Sequence, residues 1–268
     1  MKDILEEDEL HRALTKNEFE LFYQPQFNLS NGKIFSAEAL IRWHHPERGR
    51  IGPDAFIPLA ERTGLIIDIG YWVIETSIAF IAQRHQDKLS PICVHINLSA
   101  LQLRDAKLVK QVSKLLDQYQ VSPKEIGFEV TETALLSDIT LASNILQAFK
   151  NMGISIAIDD FGVGFSSLGQ LKNLPVNVLK IDKSFVDDLE TNPNDKKIVE
   201  AIIAMAHKLS IHVVAEGIEN ETQWRLLEDY SCEYGQGYIV SRPLPKDAFN
   251  ALVEKNKQAY RKNLEQDA

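Results

Sequence analysis

Short apolar runs alternate regularly with amphipathic segments along this chain. Eight apolar runs have the composition of strands, and they cover residues 19–28, 34–43, 92–98, 126–131, 154–159, 177–182, 212–216 and 235–240. Between most of them, apolar residues recur at helical spacing, over 54–85, 105–119, 138–151, 195–208 and 220–229. One strand and one helix per roughly 25–35 residues predict an α/β fold, a TIM-like (β/α)8 barrel.

The first two predicted strands are joined differently from the rest. The connection, "NLSNGKI", contains an Asn-Gly pair and is too short for a crossover helix. It predicts a hairpin, so that one strand near the N-terminus is antiparallel in the barrel. No linker or low-complexity tract interrupts the pattern, and we expect a single domain over residues 1–268. The opening residues 1–11 fit either a linker helix from an upstream domain or a capping helix of the barrel.

Charge and composition exclude some function classes. The formal net charge of −9 argues against a DNA- or RNA-binding surface, which would be basic. No apolar run approaches the length of a membrane span, and the charged N-terminus does not resemble a signal peptide. A cytoplasmic domain without direct membrane insertion is therefore expected. Cys93 and Cys232 lack metal-type spacing, and we expect buried free thiols in a reducing compartment.

Polar residues mark the ends of the predicted strands. They are Glu38, Asn97, Glu129, Glu132, Asp159, Asp160, Lys180, Asp182, Glu216, Glu219 and Gln236. Any one of them could be a turn former or a helix cap; Asn97 before "LSA" is an example, and Lys180 with Asp182 could be a structural pair. In a (β/α)8 barrel, however, the carboxyl ends of the strands converge on one mouth, and buried polar groups are costly unless they are paired or bind metal.

Two adjacent carboxylates, Asp159 and Asp160, follow the apolar residues at the start of "ISIAIDDFGVGFSSL". Because like charges repel, a cation between them is expected. Carboxylates and amides without cysteine or paired histidines suit Mg²⁺, Mn²⁺ or Ca²⁺ rather than Zn²⁺. His95 alternates with Asn97 and fits either the site or the core. From the residues alone, two-metal phosphodiester hydrolysis and proton abstraction beside a carboxylate both remain open.

The motifs, taken in order, resemble those of the EAL-domain family, the bacterial cyclic di-GMP phosphodiesterases. They are "LFYQP", "EALIRW", "HPERGRIGPDAFIPLAERTGLI", "INLSALQLRD", "FEVTET", "IDDFGVGFSSL", "LKIDKSFV", "VVAEGIE" and "GQGYIVSRPLP". The resemblance covers about residues 12–250. It implies a barrel with one antiparallel strand and hydrolysis of cyclic di-GMP to linear 5′-pGpG with two Mg²⁺ or Mn²⁺ ions, Ca²⁺ being inhibitory.

The resemblance also implies a role for each matching residue. The metal ligands would be Glu38, Asn97, Glu129, Asp159, Asp160 and Glu216, with Asp159 shared between the two ions. The catalytic set would be Glu38, Lys180, Asp182, Glu216 and Glu219, in which Lys180 contacts the attacking water. Substrate would meet Gln24, Leu40, Arg42, Asp160 and Gln236. The loop that couples the metal site to a dimer interface would involve Thr131, Glu132, Gly162, Gly164 and Ser166.

Further expectations follow from the same resemblance. It implies a homodimer and a part in biofilm and motility regulation. The opening residues fit an upstream sensor or GGDEF-type domain in a longer parent chain, which could be membrane-anchored. Val163, Phe165, Leu101 and Asn220 depart from residues common in the family, but none of these departures removes a metal ligand. The alternative is a catalytically inactive cyclic di-GMP receptor, which typically lacks such ligands. A scaffold without nucleotide leaves the polar strand ends unexplained.

Overall fold

The strands close into an eight-stranded barrel. The computed structural model describes residues 5–136, 138–163 and 174–266. The barrel strands are β1 (Phe19–Asn28), β2 (Ile34–His45), β4 (Cys93–Leu98), β5 (Ile126–Thr131), β6 (Ser155–Phe161), β7 (Val178–Ile181), β8 (His212–Ala215) and β9 (Tyr234–Gln236). Two short strands are added at its edges, β3 (Gly49–Ile51) on β2 and β10 (Leu244–Pro245) on β1.

The strand pairing confirms the predicted barrel and its antiparallel strand. β1 pairs antiparallel with both β2 and β9, and this closes the ring. All other neighbours in the barrel are parallel. The hairpin turn between β1 and β2 has Gly32 at φ 69°, a left-handed conformation that glycine adopts without steric cost. The predicted hairpin therefore forms at the Asn-Gly pair.

Helices surround the barrel. They are α1 (Glu7–Thr15), α2 (Pro53–Thr63), α3 (Ile66–Gln86), α4 (Leu108–Tyr119), α5 (Glu132–Leu136), α6 (Ile139–Met152), α7 (Lys183–Asp187), α8 (Pro193–Lys208), α9 (Glu221–Asp229) and α10 (Lys246–Gln266). Short 3₁₀ turns cover Gln102–Arg104 and Pro123–Glu125. Side-chain caps fix several starts; Asp138 accepts from the amide of Leu141, and Asn220 accepts from those of Thr222 and Gln223.

Three predicted elements differ from the structure by more than two residues. The helix expected over 54–85 is two helices, because the chain turns at Gly64 with φ 82°. The helix expected from 105 begins at Leu108, after the 3₁₀ turn. The strand expected over 235–240 ends at Gln236, because Gly237 then passes against the backbone of Ile218. A Cβ on Gly237 would lie 2.0 Å from the Ile218 carbonyl oxygen.

Alternation along each strand divides the core from the barrel interior. On β4, Val94, Ile96 and Leu98 are buried in the apolar core, whereas Cys93 and His95 line a cavity at the amino end of the barrel. Asn97, next in the same alternation, lines the opposite, carboxyl mouth. One face of β4 thus connects the two ends of the barrel.

Contrary to the expectation from the sequence, helix α3 is long and apolar enough to cross a membrane. The helix runs without a break from Ile66 to Gln86. Half of its most apolar stretch is buried inside the protein. The helix packs on α4, β4 and the β1–β2 hairpin, which accounts for its apolar residues.

Candidate metal centre at the carboxyl mouth

Five carboxylates from four different strands meet at the carboxyl mouth. They are Glu38 on β2, Glu129 on β5, Asp159 and Asp160 on β6, and Glu216 directly after β8. They form two groups of three, Glu38 with Glu129 and Asp159, and Asp159 with Asp160 and Glu216. Within each group, one ligand atom from each residue lies within 4.8 Å of the others. Asp159 belongs to both groups, so the geometry suits two neighbouring cations that share one carboxylate.

The end of β6 places both aspartates at the mouth. Side chains of neighbouring strand residues normally point to opposite faces. Here the pairing with β7 shifts register between Ile158 and Phe161, and Asp160 takes a left-handed backbone with φ 54°. The amide of Asp160 donates to Oδ1 of Asp159 at 3.1 Å. The bulge therefore explains how two successive carboxylates serve one site.

Lys180 lies in the middle of the carboxylates. Its Nζ is 2.5 Å from Oε2 of Glu129 and 2.7 Å from Oε1 of Glu216. The same atom is 3.1 Å from Oδ1 of Asp159 and 3.5 Å from Oε2 of Glu38. Burial alone would lower the pKa of Lys180, but the four carboxylates outweigh burial and raise it well above its ordinary value. The lysine is therefore held as a cation.

The carboxylates carry more negative charge than one lysine can balance. Burial, with the charges of Glu129 and Glu38, raises the pKa of Asp159 to about 7 against the opposing effect of Lys180. Burial likewise raises the pKa of Glu216 well above its ordinary value. Burial alone would also raise the pKa of Glu129, but Lys180 and His95 outweigh it and lower that pKa to about 2. A site of this kind lacks positive charge, which divalent cations would supply.

Amide side chains hold the Glu38 carboxylate from both sides. Asn97 donates through Nδ2 to Oε1 of Glu38 at 2.7 Å. Gln236 donates through Nε2 to Oε2 of Glu38 at 2.6 Å and also to Oε1 of Gln24 at 3.1 Å. Gln24 donates in turn to the carbonyl of Ser241. The predicted residues Asn97, Gln24 and Gln236 are thus brought together with Glu38 in one hydrogen-bonded chain.

One residue of this network, Gln26, was not predicted from the sequence, and the place of another, His95, was left undecided. Gln26, two residues after Gln24 on the same face of β1, donates to Oε1 of Gln236 at 2.9 Å and to Oε1 of Glu129 at 3.4 Å. His95 lies with Nδ1 3.3 Å from Oε1 of Glu129. The alternation of glutamines in "YQPQF" was the signal for Gln26. His95 is both a core residue and a neighbour of the site.

Two of the predicted residues, Arg42 and Asp182, lie at the edge of the site. Arg42 packs its guanidinium on the ring of Phe22 and donates to the carbonyl of Ile41. Asp182 caps α7 by accepting from the amide of Ser184 at 3.0 Å. Burial raises the pKa of Asp160, and the negative charge of Asp182 raises it further.

Glu219 is exposed and accepts a hydrogen bond from Nζ of Lys183 at 2.9 Å. It lines one of two clefts that flank the carboxylates. That cleft holds about 220 Å³ and includes Gln236 and Tyr238. The other holds about 710 Å³ and is largely apolar. Glu38, Leu40 and Asp159 line both clefts. An elongated ligand could therefore lie across the mouth with its centre over the carboxylates.

The loop after β6 is described only in part. Thr131 accepts from the amide of Ala134 and so caps α5. Glu132 is 3% exposed, and its Oε1 has no hydrogen-bond partner among the described residues. Gly162 has φ 100° beside the ring of Phe185, where a Cβ would come within 2.8 Å. The predicted loop residues Gly164 and Ser166 lie outside the described residues.

Comparison with known proteins identifies the family. The model of the EAL domain matches residues 7–243. The chain belongs to the EAL domain family. This confirms the resemblance seen in the motifs, over nearly the same range.

Named relatives of this EAL domain include two bacterial signalling proteins. The signaling protein YkoW of Bacillus subtilis is 42% identical over 244 residues, 91% of this chain and 30% of that protein. The cyclic di-GMP phosphodiesterase NbdA of Pseudomonas aeruginosa is 41% identical over 255 residues, 95% of this chain and 32% of that protein. The chain thus spans about a third of the length of these curated relatives.

A solved structure has the same fold. The structure described as "PaMucR Phosphodiesterase, c-di-GMP complex" superposes with a TM-score of 0.87 at 39% identity. The match covers 90% of this chain and 98% of that one. The barrel of this EAL domain is therefore that of a relative solved with cyclic di-GMP.

Proposed function

We propose that this EAL domain hydrolyses cyclic di-GMP to linear 5′-pGpG with two divalent cations. The observation that carries the proposal is the pair of carboxylate groups that share Asp159 at the barrel mouth. It is supported by relatives named as cyclic di-GMP phosphodiesterases and by a structural relative solved with that nucleotide.

The donor set fits Mg²⁺ or Mn²⁺. Glu38, Asn97, Glu129 and Asp159 would hold the first ion, and Asp159, Asp160 and Glu216 would hold the second. All of these residues offer oxygen ligands, which hard cations prefer. When bound, such a pair of ions lowers the pKa of water and stabilises the leaving oxygen. Ca²⁺, larger and less regular in its geometry, is expected to inhibit.

The chain's own groups would position the reactants. Lys180, buried and held as a cation, would donate a hydrogen bond to the attacking water. Gln24, Leu40 and Gln236 face the clefts where the nucleotide would lie. Arg42 would reach a phosphate after turning away from Phe22. Asp182 and Glu219 would act from the rim, Asp182 through its charge near Asp160 and Glu219 through Lys183.

Glu132, together with Thr131, would anchor the loop after β6, which runs through Gly162, Gly164 and Ser166. A buried carboxylate oxygen without a partner is costly, and a partner in that loop would remove the cost. Glu132→Ala should then slow turnover and weaken Mn²⁺ binding together. A slower rate with unchanged Mn²⁺ binding and unchanged protease sensitivity of the loop would reject the anchoring role.

The domain would act within a larger signalling protein. Since the relatives are about three times as long as the match, we propose an upstream sensor or GGDEF-type domain. We also propose a cytoplasmic domain that acts as a homodimer and lowers the second messenger that governs biofilm formation and motility. Light scattering of the purified chain would test the dimer, and a monomer at all concentrations would reject it.

Incubation of the purified chain with cyclic di-GMP tests the central reaction. We expect 5′-pGpG on chromatography in Mg²⁺ or Mn²⁺, and none in EDTA or when Ca²⁺ replaces them. Tight nucleotide binding without product in either metal would instead indicate the inactive receptor. Neither binding nor product would reject both functions.

A further inference from the structure

The sheet face that carries Glu38 continues along β2 beyond the carboxyl mouth. Glu38, Leu40 and Arg42 alternate on this strand, so their side chains lie on the same face. Phe22 of β1 lies opposite Leu40 in the register and shares that face. Leu40 lines both clefts beside the carboxylates. Arg42 comes four residues after Glu38, about 13 Å along the strand, and is the next residue of this face beyond the clefts.

The short strand β3 brings a second arginine to the same face. Arg50 of β3 lies opposite His44, which follows Arg42 in the alternation of β2. The guanidinium carbon of Arg50 lies 5.1 Å from the centre of the Phe22 ring, and that of Arg42 lies 5.7 Å from it. Two guanidinium groups therefore pack on one aromatic ring next to the mouth.

Neither guanidinium has a carboxylate partner among the described residues. Arg42 donates to the carbonyl of Ile41, and Arg50, which is exposed, contacts the Phe22 ring. Glu20 lies opposite Arg42 on β1, but its carboxylate is bound to Nε2 of His44 at 2.6 Å. In a chain of net charge −9, two neighbouring cations without a bound carboxylate are unexpected. Their arrangement suits an anion that comes from outside the chain.

The two arginines are close enough to repel each other. Burial lowers the pKa of Arg42, and the positive charge of Arg50 lowers it further, against the charges of Glu38 and Asp54. An anion held by both guanidinium groups would replace this repulsion with attraction. Phosphate is the anion that arginine binds best, because the N–H groups of a guanidinium match two phosphate oxygens at once.

We propose that Arg50, together with Arg42, binds the phosphate of cyclic di-GMP that is not being cleaved. This inference rests on the proposed function, from which it takes its ligand. Cyclic di-GMP has two phosphates, and its conversion to 5′-pGpG breaks a bond at one of them. That phosphate would lie at the carboxylates and their cations, which leaves the other for a site of positive charge. Arg50 is then a substrate-binding residue with no part in the chemical step.

Steady-state kinetics test this assignment. Arg50→Met keeps an apolar side chain beside Phe22 and removes the charge. It should raise KM for cyclic di-GMP about tenfold and leave kcat nearly unchanged, because the phosphate it binds does not react. Bis(4-nitrophenyl) phosphate has a single phosphate, so its kcat/KM should stay at the wild-type value. An equal loss with both substrates would show that Arg50 supports the structure of the mouth, and would overturn the proposal.

Two further variants separate charge from geometry. Arg50→Lys keeps a cation but loses the paired N–H groups, so it should recover only part of the lost affinity. Arg48→Met is the matched control, because it removes the same charge two residues earlier, where the guanidinium lies 3.5 Å from Glu9. KM should be unchanged in Arg48→Met. An equal rise of KM in this control would assign the effect to overall charge and overturn the proposal.

Calorimetric titration with cyclic di-GMP in Ca²⁺ distinguishes this inference from the proposed reaction. Since Ca²⁺ is expected to prevent turnover, the titration measures affinity alone, and Arg50→Met should bind about tenfold more weakly than the wild type. This result in a chain without turnover in any metal would reject hydrolysis and support the phosphate site. Unchanged affinity in Arg50→Met, with a wild type that hydrolyses the nucleotide, would overturn the phosphate site alone.

Discussion

Glu38 is held in place before any metal arrives. Both of its oxygens accept hydrogen bonds from amides, one from Asn97 at 2.7 Å and one from Gln236 at 2.6 Å. A carboxylate fixed in this way gives up little freedom when it binds a cation. At the scale of a single residue, the hydrogen bonds would therefore fix the proposed ligand in place, and the negative charge of Glu38 would provide the affinity for the cation.

Glu38→Gln separates these two contributions, because it keeps the shape of the side chain and removes the charge. We expect turnover and Mn²⁺ affinity to fall by at least about 100-fold, since even indirect partners of metal ligands are worth 10–100-fold. Circular dichroism should show the fold retained. Glu221→Gln, at a side chain 82% exposed on α9, is the matched control and should change neither quantity. Full turnover by Glu38→Gln would reject Glu38 as a ligand.

Lys180 supplies part of the positive charge that the surrounding carboxylates need. Lys180→Met removes that charge at nearly constant volume and leaves four carboxylates facing each other. In EDTA we expect a loss of about 3–5 kcal/mol in the free energy of unfolding, as for other broken buried ion pairs. In saturating Mn²⁺ the difference from wild type should narrow, because the ions supply the charge. Denaturant titrations under both conditions measure this; an equal difference in both would contradict the account.

The end of β6 shows what one strand adds to the site. Asp160 sits at φ 54°, a conformation that asparagine tolerates and that β-branched residues avoid. Asp160→Asn should keep the stability of the chain and weaken binding of one of two Mn²⁺ ions. Asp160→Val should weaken the same ion and also lower the free energy of unfolding by about 1–2 kcal/mol. Equal stability of the two variants would show that the left-handed backbone is not retained.

At the scale of the elements, the features predicted from the sequence are those that follow from the periodicity of apolar residues. The strands and most helices follow from alternation and helical spacing, and the strand-end carboxylates follow from where a barrel brings strand ends together. The shift of register at Ile158 was not predictable, because it arises from pairing between β6 and β7. Gly64 was a visible break, but a single glycine inside a helical pattern is often tolerated. The role of Gln26 was not predictable either, because it depends on contacts with Glu129 and Gln236 across the barrel.

At the scale of the molecule, α1 is attached to the barrel through charge as well as apolar contact. Arg12 donates from Nε to Oε1 of Glu18 at 2.9 Å, and Trp43 of β2 donates to Oε2 of Glu18 at 2.9 Å. Leu10 and Ala13 bury the apolar face of α1. Partial burial alone would raise the pKa of Glu18, but these two donors outweigh it and lower the pKa.

This lowered pKa predicts a pH dependence of stability. The interaction of Glu18 stabilises the fold above the pKa that glutamate has in the unfolded chain, and it is lost as the pH falls through the lower folded value. Glu18→Gln should therefore lower the melting temperature by a few degrees at pH 7. The difference from wild type should shrink toward pH 4. Calorimetric scans in EDTA measure it, and a constant difference across this range would exclude the ionised carboxylate as its source.

The barrel places residues of both its ends on one face of a single strand. One face of β4 carries Cys93 at the amino end, His95 in the middle and Asn97 at the mouth. Alternation in "CVHINL" predicted that His95 and Asn97 share one face, and Glu129 was singled out by its place at the end of a predicted strand. The contact between His95 and Glu129, on the neighbouring strand β5, was not predictable from the sequence.

We propose that the carboxyl mouth holds two divalent cations that share Asp159. Anomalous X-ray diffraction from crystals grown with Mn²⁺ and cyclic di-GMP would locate these cations. We expect two manganese peaks, one among Glu38, Glu129 and Asp159 and the other among Asp159, Asp160 and Glu216. A single peak, or peaks away from these residues, would contradict it.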